Sequence, residues 1–244
     1  VQAQVYKEHI APNLQEGDAL FFAHGFNVRF GYIEAPEGVD VALVAPKGPG
    51  TEVRRVFEEG FGCPGLIAVH QNPSGKARDV ALAMAKAEGL TRGGVLECTM
   101  AQETYEDLFG EQNVLCGGLV DLMKYGFETL TEAGYPPEMA YFECVHEAQL
   151  IVDLIYNGGI QKMNSGISNT AECGEYDNGP QILPAEVKER MKECLKRIES
   201  GKFAKDWLEE AAKGAPNLKA KREALGQHPV EIVGAKIRSL FERN

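Results

Sequence analysis

The 244-residue chain carries 25 basic and 36 acidic residues, a formal charge of −11, and is 44% hydrophobic. That is enough apolar material to fill one large domain or two small ones, and the lack of any basic block or aromatic-rich basic face argues against nucleic acid as a partner. No apolar run approaches the roughly 20 residues that span a bilayer, and no signal peptide opens the chain. The cysteines (Cys63, Cys98, Cys116, Cys144, Cys173, Cys194) are scattered without C-x-x-C spacing. A reduced, cytoplasmic setting without membrane contact is the expectation.

The chain opens on a helical pattern, "VQAQVYKEHIAPNL", at Val1 rather than a methionine, from which we expect that a beginning has been lost. From Ala19 to about Thr99, short apolar runs alternate with amphipathic ones. "ALFFAH", "VDVALVAP", "GLIAVH" and "GVLECT" read as buried strands, and "GTEVRRVFEEGF" and "GKARDVALAMAKAEG" as helices. Such alternation predicts a mostly parallel sheet covered by helices. Ligands of such sheets bind at the carboxyl ends of the strands, where this chain places "AHGFN" and "APKGPG". Both are also ordinary turn chemistry, and a lone His24 is more often a hydrogen-bonded residue than a catalyst.

Past Thr99 the strand signals stop. Helical patterns follow at about 101–109, 113–133, 137–157, 185–199, 202–213 and 230–242, with "GYPP" ending one helix and starting the next. The domain division predicted is 1–99 and 100–244.

The stretch "AYFECVHEAQLIVDLIYN" is apolar around most of a helix, so part of its polar stripe must also be buried. Glu143 and Glu147 stack on one face, roughly 6 Å apart along the axis. An unpaired buried carboxylate costs several kcal/mol, and positions 136–161 hold no Lys or Arg, which favours a bound metal. Asp107 and Glu111 repeat the four-residue spacing. For that pair alone a solvated helix start is the better reading; together, the four acids could enclose two hard cations, Mg²⁺ before Mn²⁺. Glu143 and His146 also spell E-x-x-H, the motif of di-iron bundles, but no second copy of it occurs in a long apolar helix. In "SGISNTAE", Ser165, Ser168, Asn169 and Thr170 could clamp an anionic substrate or simply cap a helix, with Ser168 or Asn169 as the cap.

Taken in order, "FAHGFNVRFG", "VALVAPKGPGTEVRRVFEEGFG", "LIAVHQNPSGKARDVALAMAKA", "ETYEDLFGEQNVLCGG", "EAGYPPEMAYFECVHEAQLIVDLIYNGGI" and "GISNTAE" resemble the ketol-acid reductoisomerases (acetohydroxy acid isomeroreductases) of the short, class I form over essentially the whole chain. The resemblance implies an α/β Rossmann-like domain with a parallel sheet, here without its amino-terminal part, followed by an all-α knotted domain. It implies two Mg²⁺ per site, held by Asp107 and Glu111 of one subunit and Glu143 and Glu147 of another, in a homodimer with shared sites or a larger assembly.

It further implies that His24, Lys47 and Glu147 are catalytic, that Ser168 holds the substrate carboxylate, and that Gly50, Val1 and Gln2 contact the cofactor. Val1 and Gln2 would be the end of a D-E-x-Q segment. The implied reaction is alkyl migration in 2-acetolactate or 2-aceto-2-hydroxybutanoate, then reduction by NADPH or NADH, on the route to valine, leucine and isoleucine. Choice between the two cofactors is set before Val1 in this family. Two other readings stay open: a di-metal E-x-x-H redox protein, and an inactive fragment that only dimerises.

Overall fold

The computed structural model describes residues 1–241, and the chain divides into two compact units, Val1–Leu108 and Phe109–Asn244. The first opens with a short helix α1 (Gln2–Val5), a π-helical turn over Tyr6–Ile10 and a 3-10 turn over Ala11–Asn13. Strand β1 (Ala19–Phe22), the single-turn helix α2 (Phe26–Arg29), strand β2 (Asp40–Pro46) and helix α3 (Gly50–Glu58) follow. Strand β3 (Gly65–Gln71), helix α4 (Ala77–Ala87), the turn α5 (Leu90–Gly93), strand β4 (Val95–Glu97) and helix α6 (Met100–Gly110) complete the unit.

The strands lie in the order β1-β2-β3-β4. β1 and β2 are parallel, as are β3 and β4, but β2 and β3 run antiparallel, so the sheet is mixed and the parallel reading needs correcting at that one pair. The two intervening helices explain the difference. No residue of α3 is fully buried, and the Lys47 N–H donates to the Pro64 carbonyl at 2.8 Å, so the chain leaves β2 and enters β3 at the same end of the sheet. Antiparallel neighbours need no crossover. In α4, by contrast, Ala77, Ala81 and Ala85 have no exposed surface. Ala81 and Ala85 pack against Ala42, Val44 and Ile67, and this helix is the crossover between the parallel pair β3 and β4.

A second cluster joins Phe22, Val28, Val41, Leu43, Ala45 and Ala68 to Met100. Met100 is the first residue of α6, so this packing anchors the start of α6 against the strands whose ends carry His24 and Lys47.

The second unit is helical throughout its described residues: a π-helical turn over Glu111–Leu115, then α7 (Gly118–Glu132), α8 (Pro137–Tyr141), a π-helical turn over Phe142–His146, α9 (Ala148–Gly166), α10 (Asn169–Ile182), α11 (Ala185–Glu199), α12 (Lys202–Ala212), α13 (Pro216–Gly226) and α14 (Pro229–Ser239). Helices expected over 113–133 and 137–157 therefore start or break at π turns, which periodicity cannot register. α9 runs on to Gly166 across a break at Gly159, whose φ of +80° is available to glycine. α10 was expected only as the helix that Ser168 or Asn169 would cap, and α13 was not expected. Pro180 and two glycines, Gly174 and Gly179, obscure the pattern of the first, and the second buries no residue fully. Position 242, the expected end of the last helix, lies outside the described residues.

The core of this unit forms where α7, α8 and α14 meet. Phe127, only 1% exposed, packs with Ala140, Tyr141, Val230, Val233 and Ile237, and His228 ties α14 to α7 by pairing with Glu128 at 2.8 Å. Elsewhere this unit departs from expectation. The helix around Glu143 and Glu147 was expected to be buried, but Leu150, Val152, Ile155, Tyr156 and Ile160 are exposed on the single chain, as are both glutamates. A contiguous run of this kind marks an interaction surface.

Truncating Phe127 to alanine removes the largest fully buried side chain and should cost about 3–5 kcal/mol. Chemical denaturation of Phe127→Ala checks this; a loss below about 1 kcal/mol would contradict the core described.

Candidate active site

Two strand ends and one helix bring four side chains together within the first unit. His24 follows β1 by two residues and Lys47 follows β2 by one; Glu103 and Asp107 lie one turn apart on α6. Glu103 is 1% exposed. Its Oε2 accepts the Gly25 N–H at 2.9 Å, and its Oε1 faces His24 Nδ1 at 3.1 Å and Lys47 Nζ at 3.3 Å. Asp107 presents Oδ1 to the same ammonium at 3.0 Å and Oδ2 to the same imidazole nitrogen at 3.4 Å.

Because His24 Nδ1 faces carboxylate oxygens, it must carry a proton, which leaves Nε2 as the ring atom able to accept one. Burial pushes the Glu103 carboxyl upward more than any other single influence, yet His24, the Gly25 N–H and Lys47 together outweigh it and hold the group below its ordinary value. Partial burial works against the charge on Lys47. Asp107 and Glu103 more than compensate, so Lys47 stays protonated above its ordinary range. His24, Glu103 and Asp107 offer ligand atoms within 4.8 Å of one another, but the Lys47 ammonium already meets the two carboxylates there.

Glu103 escaped the sequence reading. Its signal was present, since Glu103, Asp107 and Glu111 recur every four residues along one face of the chain. What the sequence does not display is that the first of the three is buried. Asp107 does not sit at a helix start, as the solvated reading required. It lies near the end of α6, within a helical backbone that runs on into the π-helical turn at Glu111, and Lys47 and His24 supply its cationic contacts. Glu111 opens the π-helical turn that follows.

The other expected residues fall as follows. Gly50 is the first residue of α3, and a Cβ there would meet nothing within 4 Å, so its backbone faces open space. Val1 is fully exposed; Gln2 Oε1 accepts a hydrogen bond from Asn27 Nδ2, two residues beyond Gly25. Ser168 caps α10, its Oγ accepting the Ala171 N–H at 3.2 Å. Glu143 lies in the π-helical turn of the second unit and Glu147 directly after it. Among the described residues neither has a Lys or Arg partner within ion-pair distance. His146 stacks on Phe241 with ring centroids 5.2 Å apart and meets Phe142 edge-on at 5.5 Å, an aromatic packing role that removes the support for the E-x-x-H reading.

Comparison with known proteins agrees with this geometry. The family model described as "Acetohydroxy acid isomeroreductase, NADPH-binding domain" matches residues 1–94, and "Ketol-acid reductoisomerase, C-terminal domain" matches residues 100–243. The chain belongs to the ketol-acid reductoisomerase family. It is 88% identical over 240 residues to a ketol-acid reductoisomerase (NADP(+)) of Akkermansia muciniphila, covering 98% of this chain and 74% of that one. It is 63% identical over 241 residues to a ketol-acid reductoisomerase (NAD(+)) of the uncultured archaeon GZfos26G2, covering 99% and 73%. The solved structure of an NADH-preferring ketol-acid reductoisomerase from an uncultured archaeon superposes with a TM-score of 0.98 at 62% identity, covering 100% of this chain and 73% of that one. Among the described residues no helix is long and apolar enough to cross a membrane.

With the Glu103 carboxyl below its ordinary value in the fold, its contribution to stability is complete above the unfolded-state pKa, about 4.3, and is lost as pH falls through the lower folded value. Melting temperatures measured between about pH 5 and pH 3 should therefore fall less steeply for Glu103→Gln than for the parent chain; parallel acid limbs would contradict the assignment.

Proposed function

We propose that this chain acts as a ketol-acid reductoisomerase, converting 2-acetolactate or 2-aceto-2-hydroxybutanoate by alkyl migration to a 2-keto-3-hydroxy acid and reducing that ketone with NADPH or NADH. The observation that carries the reading is the seat of Asp107, beside Lys47 and His24 at the ends of two parallel strands, in a chain of this family. Residues 1–99 are assigned to the carboxyl-terminal part of the nicotinamide-cofactor domain, and 100–244 to the metal- and substrate-binding domain. A cytoplasmic setting accords with biosynthesis of branched-chain amino acids.

The donor set suits magnesium. Asp107, Glu111, Glu143 and Glu147 offer carboxylate oxygens alone, the ligands of hard ions, and among the described residues no Lys or Arg competes for the exposed carboxylates of Glu143 and Glu147. We assign Asp107 and Glu111 of one copy, with Glu143 and Glu147 of a second, to two Mg²⁺. The exposed apolar run from Leu150 to Ile160 supports the pairing of copies. When bound, the ions supply Lewis acidity toward the substrate's hydroxyl, carbonyl and carboxylate oxygens.

The chain's own groups do the rest. A Glu147 carboxylate oxygen takes the substrate's hydroxyl proton as the alkyl group moves to the neighbouring carbon. Lys47, kept charged by Asp107 and Glu103, donates a hydrogen bond to the oxygen that gains negative charge. His24 is held by Glu103 through Nδ1 and presents Nε2 for proton exchange. The Ser168 hydroxyl of the second copy holds the substrate carboxylate. Gly50, whose backbone is open, would contact the nicotinamide cofactor together with Val1 and Gln2; the cofactor would supply the hydride for the ketone carbon, and a proton to the oxygen would complete the 2,3-dihydroxy acid.

The purified chain supplied with Mg²⁺ and 2-acetolactate, with NADPH and NADH in separate reactions, should consume reduced cofactor in a manner dependent on both metal and substrate. Glu143→Gln should lower that rate on the order of 100-fold. Cofactor loss that ignores Mg²⁺, or iron in the protein with a requirement for His146, would overturn the reading in favour of the di-metal redox alternative; a folded dimer without turnover would favour the inactive fragment.

A further inference from the structure

Residue 25 has no room for a side chain. The backbone at Gly25 adopts φ −80° and ψ −2°, a conformation open to any L-residue, so the turn itself does not require glycine. Space does. A Cβ placed there would overlap the Thr104 hydroxyl and lie 2.8 Å from Met100 Sδ and 2.9 Å from the Met100 carbonyl oxygen. The carbonyl belongs to the backbone of α6 and cannot swing aside. Thr104 is fully buried and its hydroxyl donates to that same carbonyl at 2.8 Å, so the surface beneath Gly25 is rigid.

At this closest approach the Gly25 N–H reaches Glu103 Oε2 at 2.9 Å, which turns Oε1 toward His24 and Lys47. We propose that Gly25 is a positioning residue for the reaction: its missing side chain lets the loop after β1 settle on α6, and its N–H fixes the carboxylate that aims His24 and Lys47. This deepens, and rests on, the reductoisomerase reading. An added methyl group must lift the loop from the helix, and a displacement approaching 1 Å in a catalytic group costs on the order of 100-fold in rate.

The test is Gly25→Ala in the full chain. We expect kcat to fall about 100-fold while the KM for reduced cofactor and the calorimetric affinity for Mg²⁺ stay within about twofold of the parent. Unchanged kcat overturns the proposal, as does a joint collapse of kcat, KM, Mg²⁺ affinity and melting temperature, which would mark a purely structural glycine. A second measurement needs no turnover and covers a variant that fails to fold. Amide hydrogen exchange at Gly25 should be slow in the parent and accelerate in Glu103→Ala while the amides of β2 and β3 hold; exchange that is already fast in the parent, or unaltered by the substitution, overturns the proposal. If the parent chain consumes no cofactor with acetolactate and Mg²⁺, the functional reading fails, and the exchange data still decide whether Gly25 positions Glu103.

Discussion

A buried carboxylate governs this site. Glu103 has almost no contact with solvent, and an ionised carboxyl in that position is tolerable only if hydrogen bonds and opposite charge replace the lost water. Three groups do so, each from a different part of the chain: the Gly25 N–H and the His24 ring after β1, and the Lys47 ammonium after β2. The requirement runs both ways. Glu103 stays charged because they surround it, and they are held because it is charged. Local geometry that would otherwise belong to two independent loops becomes one constellation, with Asp107 completing it a turn further along α6.

The fold supplies what this constraint needs. β1 and β2 are parallel, so their carboxyl ends open on the same side of the sheet, and Met100 locks the first residue of α6 into the core beneath them. α3 can lie outside the core because β2 and β3 are antiparallel neighbours needing no covering crossover. That arrangement leaves the backbone of Gly50 facing open space beyond the Lys47 turn. In the second unit the logic differs: Glu143 and Glu147 stand exposed on a segment whose apolar residues are exposed with them. Among the described residues these carboxylates have no Lys or Arg partner and lie beside unburied leucine, isoleucine and tyrosine, the surroundings that the proposed second copy and metal would share.

Much of this was legible in the sequence, for identifiable reasons. The four strands appeared as short apolar runs, α4 as an amphipathic helical run, and α11 with the bounds the pattern predicts, because hydrophobic period is a local property. His24 and Lys47 were legible as residues after strands, and the two four-residue acid pairs as spacing. Strand direction between β2 and β3 was not legible, since one helical stretch between two strands reads the same whether the chain crosses the sheet or turns back. Nor were the π turns at Glu111–Leu115 and Phe142–His146, which add a residue without altering composition. Glu103 was missed because burial of a polar residue depends on partners 56 to 79 positions away. The glycine at position 25 read as turn chemistry, whereas its backbone is ordinary and the approach of α6 is what excludes a side chain.

The central claim is that acids from two stretches of the sequence belong to one metal site built from two copies of the chain. Complementation tests it most directly. Asp107→Asn and Glu143→Gln chains, each inactive alone, would be unfolded and refolded together in equal amounts, and their Mg²⁺-dependent reduction of acetolactate compared with the parent. If sites are shared across a two-fold axis, half the dimers are mixed and each mixed dimer contains one intact site, so about one quarter of parental activity should return. A mixture as inactive as its components would contradict the shared site and place all four acids within a single chain's own centre.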